Sequence, residues 1–153
     1  MRSTVKLYLV QHGEAVAKDI DSDRPLTTRG RRDVTNLRHF FANAGITVSW
    51  ILHSGKTRAV QTAEILAESL STPVWPEKIT VIDPLDSAPA FVSTVTQWTT
   101  DTMLVGHLPF LGKLVSALLT GNENAFVVSF VPGSVVCLER AEDGGWTVGP
   151  LRG

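Results

Sequence analysis

Residues 7–15 read LYLVQHGEA, and this stretch decides the fold that the sequence predicts. The apolar run from Val5 to Val10 ends abruptly in a polar segment that begins with Gln11 and His12. A short apolar run followed at once by a glycine is typical of a buried strand that leads into a loop. Because ligands of open α/β sheets bind just beyond the carboxyl ends of strands, the pattern predicts a functional position for His12.

Two later segments repeat the arrangement of an apolar strand with polar residues at its end. The strand predicted over residues 48–53 is followed by Ser54, a natural N-cap for a helix that extends to about Leu70. Arg58 then lies about one turn inside that helix, where the positive end of the helix dipole attracts anions. The segment from Met103 to Gly106 is a further predicted strand, with His107 at its end.

The rest of the chain alternates helical and strand patterns, which predicts a layered α/β domain with a hairpin at its end. The further predicted elements are a helix capped by Thr27 or Thr28 and ending at Gly45, a strand region from Val74 to Ile82, a short helix from Phe91 to Trp98, a helix with Pro109 at its first position, strands from Phe126 to Phe130 and from Ser134 to Leu138 joined by a turn at Pro132-Gly133, and an edge strand from Trp146 to Val148.

Length and composition indicate an ordinary globular protein. The 153 residues predict a single domain over residues 1–153, with 43% hydrophobic and 19% charged residues. The formal net charge of −1 predicts neither a nucleic-acid nor a membrane partner, so any positive field must be local. The single cysteine, Cys137, cannot form an internal disulfide. No apolar stretch approaches a membrane span and the amino terminus lacks a signal-peptide pattern, so we expect a cytoplasmic protein.

The strand-end residues fit one kind of chemistry if the strands lie side by side. His12, Ser54, Arg58 and His107 then converge at one edge of the sheet. In phosphoryl transfer to nitrogen, a neutral imidazole attacks phosphorus while other groups neutralise the equatorial oxygens. The set therefore predicts that His12 is a nucleophile that accepts a phosphoryl group.

Four motifs, in this order, resemble the histidine phosphatase superfamily. They are H-G-E at residues 12–14, R-P-L-T at 24–27 with a following glycine, S-x-x-x-R-A-x-Q-T at 54–62 and G-H-L-P at 106–109. The short chain, the R-P-L-T stretch and the G-H-L-P segment are most similar to the SixA-type phosphohistidine phosphatase branch. The resemblance extends from Leu7 to about Leu119, and it implies a three-layer α/β/α sandwich with a mostly parallel mixed sheet, as in phosphoglycerate mutases.

The family resemblance also implies a role for each matching residue. His12 would be phosphorylated, and Arg58 and a cationic His107 would bind the phosphate. Arg24 resembles an arginine that lines this pocket in the SixA-type branch, and Ser54 would contribute its hydroxyl or only cap its helix. Water would then hydrolyse the phosphohistidine intermediate. The resemblance implies no metal and no organic cofactor.

One departure from the family pattern lies directly before the nucleophile. The family usually has arginine there, whereas this chain has Gln11. Glutamine keeps two N–H donors but lacks the positive charge and the forked geometry of arginine. We therefore expect weaker binding of a phosphate dianion unless Arg24 or, as the second choice, Lys56 compensates. The change is compatible with a less demanding substrate or with a phosphate-binding regulatory module with little turnover.

The proton donor is left open by the sequence. Glu14, Asp83 and Asp86 are candidates, and Asp83 is nearest to where the superfamily has its acid. Ester hydrolysis needs such a donor for its alkoxide, whereas imidazole is a better leaving group. With no long insertion to cover the site, a phosphohistidine-bearing protein is the first substrate hypothesis. A small phosphorylated metabolite hydrolysed by a phosphomonoesterase is the alternative.

Overall fold

The computed structural model of the protein describes residues 4–69 and 74–152. It contains a six-stranded mixed sheet with helices on both faces. In chain order the elements are β1 (Val5–Gln11), α1 (Thr28–Ala44), β2 (Trp50–His53), α2 (Thr57–Ala67), β3 (Glu77–Lys78), α3 (Ala88–Val95), β4 (Thr102–Gly106), α4 (Phe110–Thr120), β5 (Val135–Arg140) and β6 (Trp146–Val148). The predicted end of the second helix near Leu70 lies outside the described residues.

The strand order is β3-β2-β4-β1-β5-β6. Strand β4 pairs in parallel with both β1 and β2, and β3 pairs in parallel with β2. Strand β5 is antiparallel to β1 and to β6. The carboxyl ends of β1, β2 and β4 therefore lie next to one another at one edge, which confirms the predicted mostly parallel mixed sheet.

Alternation of side chains along the central strands creates two separate cores. Leu7 and Leu9 of β1 belong to a cluster that includes residues of α3 and α4, whereas Tyr8 and Val10 belong to a cluster with residues of α1 and α2. Successive strand residues point to opposite faces, so a strand buried on both faces reads as a continuous apolar run. The result is a three-layer α/β/α sandwich, as expected.

The start of α1 holds the loop after β1 in place. Thr27 is its N-cap and accepts a hydrogen bond from the Gly30 amide, and Gly45 ends the helix in the left-handed conformation, as predicted. A Cβ atom at Gly30 would lie 2.1 Å from the carbonyl oxygen of Glu14. Only glycine allows α1 to approach the H-G-E segment this closely.

The predicted hairpin at Pro132-Gly133 is wrong. Residues 126–130 form no strand, and Phe126 adopts a left-handed φ of 53°. The Gly133 amide donates to the carbonyl oxygen of Gln11, so this turn attaches to β1 instead of joining two strands. Strand β5 pairs with β1 because Cys137 and Leu138 fill the two cores on either face of the sheet.

Three boundaries also differ from the sequence-based expectation. Strand β3 covers only Glu77–Lys78 of the predicted region, since Pro76 cannot donate to a ladder. Helix α3 begins at Ala88, because Ser87 caps it by accepting from the Ala90 amide. Pro109 is the N-cap residue of α4 and not its first helical residue.

Within residues 4–69 and 74–152, no helix is both long enough and apolar enough to cross a lipid bilayer. Location in the cytoplasm stays a prediction, and a single domain over residues 1–153 stays our proposal.

Candidate active site

Two histidine rings face each other at the edge where β1 and β4 end. His12 follows β1, His107 follows β4, and Gln11 pairs in register with Gly106. The ring centroids of His12 and His107 lie 5.0 Å apart, with 51° between the planes. One phosphoryl group can therefore contact both rings.

The environment of His12 selects one tautomer. Its Nδ1 lies 2.7 Å from the carbonyl oxygen of Gly13, and because a carbonyl only accepts, Nδ1 carries the proton. Burial lowers the pKa of His12, and the charges of Arg58 and Arg24 lower it further, although the Gly13 contact opposes the shift. The ring is neutral at neutral pH, which leaves an unprotonated Nε2 as a nucleophile.

His107 is buried against Ser54. Its Nε2 lies 2.6 Å from the Ser54 hydroxyl oxygen, and its Nδ1 is buried without a hydrogen-bond partner. Burial, with His12 and the nearby cations, lowers the pKa of His107 to about 3. The ring is therefore neutral without a ligand, and the cationic state that the family resemblance implies stays a prediction for the phosphate-bound site. A dianion beside the ring raises this pKa again, because an opposite charge favours the protonated form.

Arg58 lies two residues nearer to the start of α2 than expected. The N-cap of α2 is Lys56 and not Ser54, whose hydroxyl contacts His107 and accepts from the Lys56 amide at 3.3 Å. Arg58 is consequently the second helical residue. The Nε atom of Arg58 is buried without a hydrogen-bond partner. Burial lowers the pKa of the Arg58 guanidinium, and the charge of Arg24 lowers it further.

Arg24 adds positive charge to the same site. Its backbone is left-handed, with a φ of 49°, and its Nε donates to the carbonyl oxygen of Val16 at 3.0 Å. The charge of Arg24 lowers the pKa of both His12 and His107, and Lys56 also acts on His107. A chain with a net charge of −1 thus has a local positive field here.

Gln11 is buried at the end of β1. Its amide N–H donates to the carbonyl oxygen of Ser134 at 3.1 Å, and its own carbonyl oxygen accepts from Gly133 at 3.0 Å. The side-chain Oε1 of Gln11 is buried without a hydrogen-bond partner. The backbone of Gln11 is therefore fixed by two hydrogen bonds, whereas the oxygen of its side-chain amide has no partner.

The three candidate acids occupy different environments. The Glu14 carboxylate accepts from the Thr27 hydroxyl at 2.8 Å, and Asp86 Oδ2 accepts from the Asp83 amide at 2.8 Å. Both groups therefore stabilise loops. The exposed Asp83 is close enough to Arg58 for its charge to raise the pKa of that guanidinium. Of the three, only Asp83 has a charge that acts on a residue of the candidate site.

Two residues that support the site were not singled out from the sequence. Thr62 Oγ1 accepts from the Gly13 amide at 3.0 Å and donates to the Arg58 carbonyl at 2.8 Å. Gln61 Oε1 accepts from the Leu26 amide at 2.8 Å. The R-A-x-Q-T motif contains both, and their place in that motif was the signal that could have found them. They connect α2 to the loops that hold His12 and Arg24.

The arrangement can bind an oxyanion and attack it. Within the described part of the chain, the buried side-chain atoms without a hydrogen-bond partner include two nitrogens, Arg58 Nε and His107 Nδ1, which can donate to an oxyanion, and Gln11 Oε1, which only accepts. Buried polar atoms are normally paired, so such a group at one site indicates a place for a ligand. No cluster of His, Cys, Asp or Glu able to hold a metal ion occurs in residues 4–69 and 74–152.

Comparisons with known proteins agree with this arrangement. Residues 7–79 match the model of the histidine phosphatase superfamily (branch 1). An uncharacterized protein of Picosynechococcus is 34% identical over 124 residues, 76% of this chain and 74% of that protein. Phosphohistidine phosphatase SixA of Escherichia coli is 26% identical over 154 residues, with 95% of this chain and 94% of that protein covered.

A solved structure is similar over most of its length. The protein histidine phosphatase SixA complexed with tungstate superimposes with a TM-score of 0.80 at 24% identity, covering 95% of this chain and 94% of that one. That likeness confirms the fold, and the sequence matches confirm the relationship. The chain therefore belongs to the histidine phosphatase superfamily.

Proposed function

We propose that this protein is a phosphatase that hydrolyses phosphohistidine on a protein substrate through a phosphorylated His12. The observation that carries the proposal is the 5.0 Å separation of the His12 and His107 rings, together with the Nδ1 contact that leaves Nε2 of His12 free. Family membership supports a phosphatase, and the similarity to SixA supports phosphohistidine as the substrate class.

In the first step, the lone pair of His12 Nε2 attacks phosphorus and the P–N bond to the substrate imidazole breaks. The other nitrogen of the substrate ring has already taken up a proton from solvent hydronium, so the ring keeps the electrons of the broken P–N bond and departs as neutral imidazole. Arg58 and Arg24 neutralise the equatorial oxygens, and the charge of the dianion keeps His107 protonated, so that its ring donates a hydrogen bond to a phosphoryl oxygen. Nδ1 of His12 keeps its proton and its contact with Gly13.

In the second step, water attacks the phosphorus of phosphorylated His12. The Nε2–P bond breaks, and its electrons return to an imidazole that leaves as a neutral ring because Nδ1 is already protonated. One proton of the water is released, and inorganic phosphate leaves. Neither step needs a carboxylic acid, which agrees with the engagement of Glu14 and Asp86 in loop hydrogen bonds.

Trapping of the phosphorylated enzyme tests the proposal. Incubation with a ³²P-labelled phosphohistidine peptide and quenching in base should give acid-labile label on the wild type and none on His12→Ala. His39→Ala is the matched control, because His39 is exposed on α1 outside the site. Equal labelling of wild type and His12→Ala contradicts the proposal. Tungstate binding without labelling or hydrolysis favours a phosphate-binding regulatory module.

A second candidate is a phosphomonoesterase that acts on a small metabolite. The observation in its favour is the electrostatic contact of Asp83 with Arg58, which gives a carboxyl group near the bound phosphate. For an ester, Asp83→Asn should lower kcat by about 10²-fold or more, because the alkoxide then lacks a proton donor. For phosphohistidine the same substitution should change kcat little. A panel of phosphate esters and phosphohistidine peptides, assayed with the wild type and with Asp83→Asn, decides between the two candidates.

A further inference from the structure

We propose that an apolar groove beside the site binds an apolar side chain of the substrate polypeptide next to its phosphohistidine. The apolar groove lies between residues 108–113, at the start of α4, and residues 126–130. Its cavity volume is about 290 Å³. The inference rests on the proposed protein-phosphohistidine activity and adds a determinant of substrate choice.

Apolar side chains in the groove, and directly beside its lining in the chain, are exposed. Phe126 and Leu108, which line the groove, are 77% and 38% exposed, and Val131, which directly follows the lining residue Phe130, is 62% exposed. Single exposed apolar side chains are common, but neighbouring ones around a concave surface mark a binding site. Phe126 also has a left-handed φ of 53°, a conformation that costs free energy in a bulky residue.

Both walls of the groove are connected to the phosphate site, one through the chain itself and the other through hydrogen bonds. Leu108 directly follows His107, and the turn after Val131 donates from the Gly133 amide to the carbonyl oxygens of Gln11 and His12. The distance from the reacting histidines to the groove is therefore fixed by short stretches of chain. A substrate whose phosphohistidine reaches His12 has its neighbouring residues beside this groove.

The occupant follows from the shape and chemistry of the groove. Consecutive residues of an extended polypeptide are separated by roughly 3.3–3.6 Å, so a side chain within a few residues of the phosphohistidine can reach the groove. The lining includes the leucine, proline and phenylalanine side chains of Leu108, Pro109, Phe126 and Phe130, with Lys113 as the charged exception. Such a lining fits a leucine-like side chain of the substrate polypeptide.

Two synthetic peptides test the inference. Each carries one phosphohistidine, flanked by leucines in the first peptide and by serines in the second. For the wild type we expect kcat/KM about tenfold higher with the leucine peptide, because burial of an apolar side chain favours binding. Phe126→Asn and Val131→Ser should each reduce this preference while leaving hydrolysis of the serine peptide unchanged. Asparagine is chosen at position 126 because it tolerates a left-handed backbone.

Val148→Ser is the matched control for Val131→Ser. Val148 is 63% exposed but lies on β6, at the far edge of the sheet, so its replacement should keep the full preference. Equal rates of the wild type with the two peptides overturn the groove proposal and leave the proposed function intact. Hydrolysis of neither peptide overturns the proposed function and the groove proposal together.

A measurement of the oligomeric state tests the alternative that the groove binds a second copy of this chain. If Phe126→Asn converts a dimer to a monomer in light scattering, the groove binds a second copy of this chain and the substrate proposal is wrong. An unchanged mass with a lost leucine preference supports the substrate proposal.

Discussion

Two arginines of the same chain show how the helix end beside a guanidinium separates a binding residue from a structural one. Arg140 on β5 donates to the carbonyl oxygens of Thr96 at 2.7 Å and Trp98 at 2.6 Å, just beyond the end of α3. Its guanidinium also lies 5.7 Å from the centre of the Trp146 ring. Arg58 lies at the start of α2, and its buried Nε has no partner.

The difference follows from the polarity of the helix. The carboxyl end of a helix presents unpaired carbonyl groups and partial negative charge, which satisfy a cation such as Arg140. The amino end presents N–H groups and partial positive charge, so Arg58 has nothing there to bind and lies near a second cation, Arg24. A cation held in an unfavourable place by the rest of the fold is positioned for an external anion.

The largest expected effect is the loss of activity on replacement of Arg58. Arg58→Ala should lower kcat/KM for a phosphohistidine peptide by about 10²–10³-fold, the usual effect of removing a preorganised donor. The free energy of unfolding should stay unchanged or rise, because a buried unpaired group is lost. Activity assays and urea unfolding measure the two quantities. A variant that is unstable but fully active would reverse the assignment of the two arginines.

Arg140→Ala should give the opposite result. Loss of charge-assisted hydrogen bonds at the end of α3 should lower the free energy of unfolding by about 1.5–3 kcal/mol. The folded variant should keep the wild-type kcat/KM, since Arg140 lies on β5 away from the histidines. Urea unfolding at neutral pH, together with the peptide assay, checks this prediction. A large loss of activity in a stable variant would contradict it.

A smaller effect is expected from the titration of His107. Its pKa of about 3 in the folded protein is below the ordinary 6.5, so the unfolded chain binds more protons between these values. The free energy of unfolding should therefore fall as the pH falls from about 6.5 toward 4, by up to about 1.4 kcal/mol per pH unit. His107→Gln should have a shallower slope. Identical slopes in pH-dependent urea unfolding would show that burial does not hold this ring neutral.

The smallest effect concerns the departure at Gln11. Gln11→Arg should tighten binding of inorganic phosphate by about tenfold, because a charge-assisted hydrogen bond is roughly twice as strong as a neutral one. Gln97→Arg is the control, since it adds the same charge at an exposed position beyond α3. Calorimetric titration with phosphate measures both. Weaker binding by Gln11→Arg would indicate that the unpaired Oε1 of Gln11 accepts a hydrogen bond from the ligand.

Prediction from the sequence succeeded where the information was local. The cap at Thr27 or Thr28, the end of α1 at Gly45 and the buried positions of β1 were predicted, because each depends on a few neighbouring residues. The hairpin at Pro132-Gly133 was wrong because strand pairing depends on the space left beside β1. For Ser54 the sequence left two roles open, a helix cap or a hydroxyl in the site, and the structure shows the hydroxyl in contact with a histidine 53 positions away.

The sequence alone determined the layered α/β class, the strands that end at one edge and the order of the motifs with His12, Arg58 and His107, because periodicity and end signals are carried by adjacent residues. Only the tertiary structure decided the 5.0 Å spacing of the rings, the free Nε2 of His12 and the neutral state of His107. These properties depend on distance and burial. Both arise when segments that are remote in the chain pack together, and no local pattern encodes them.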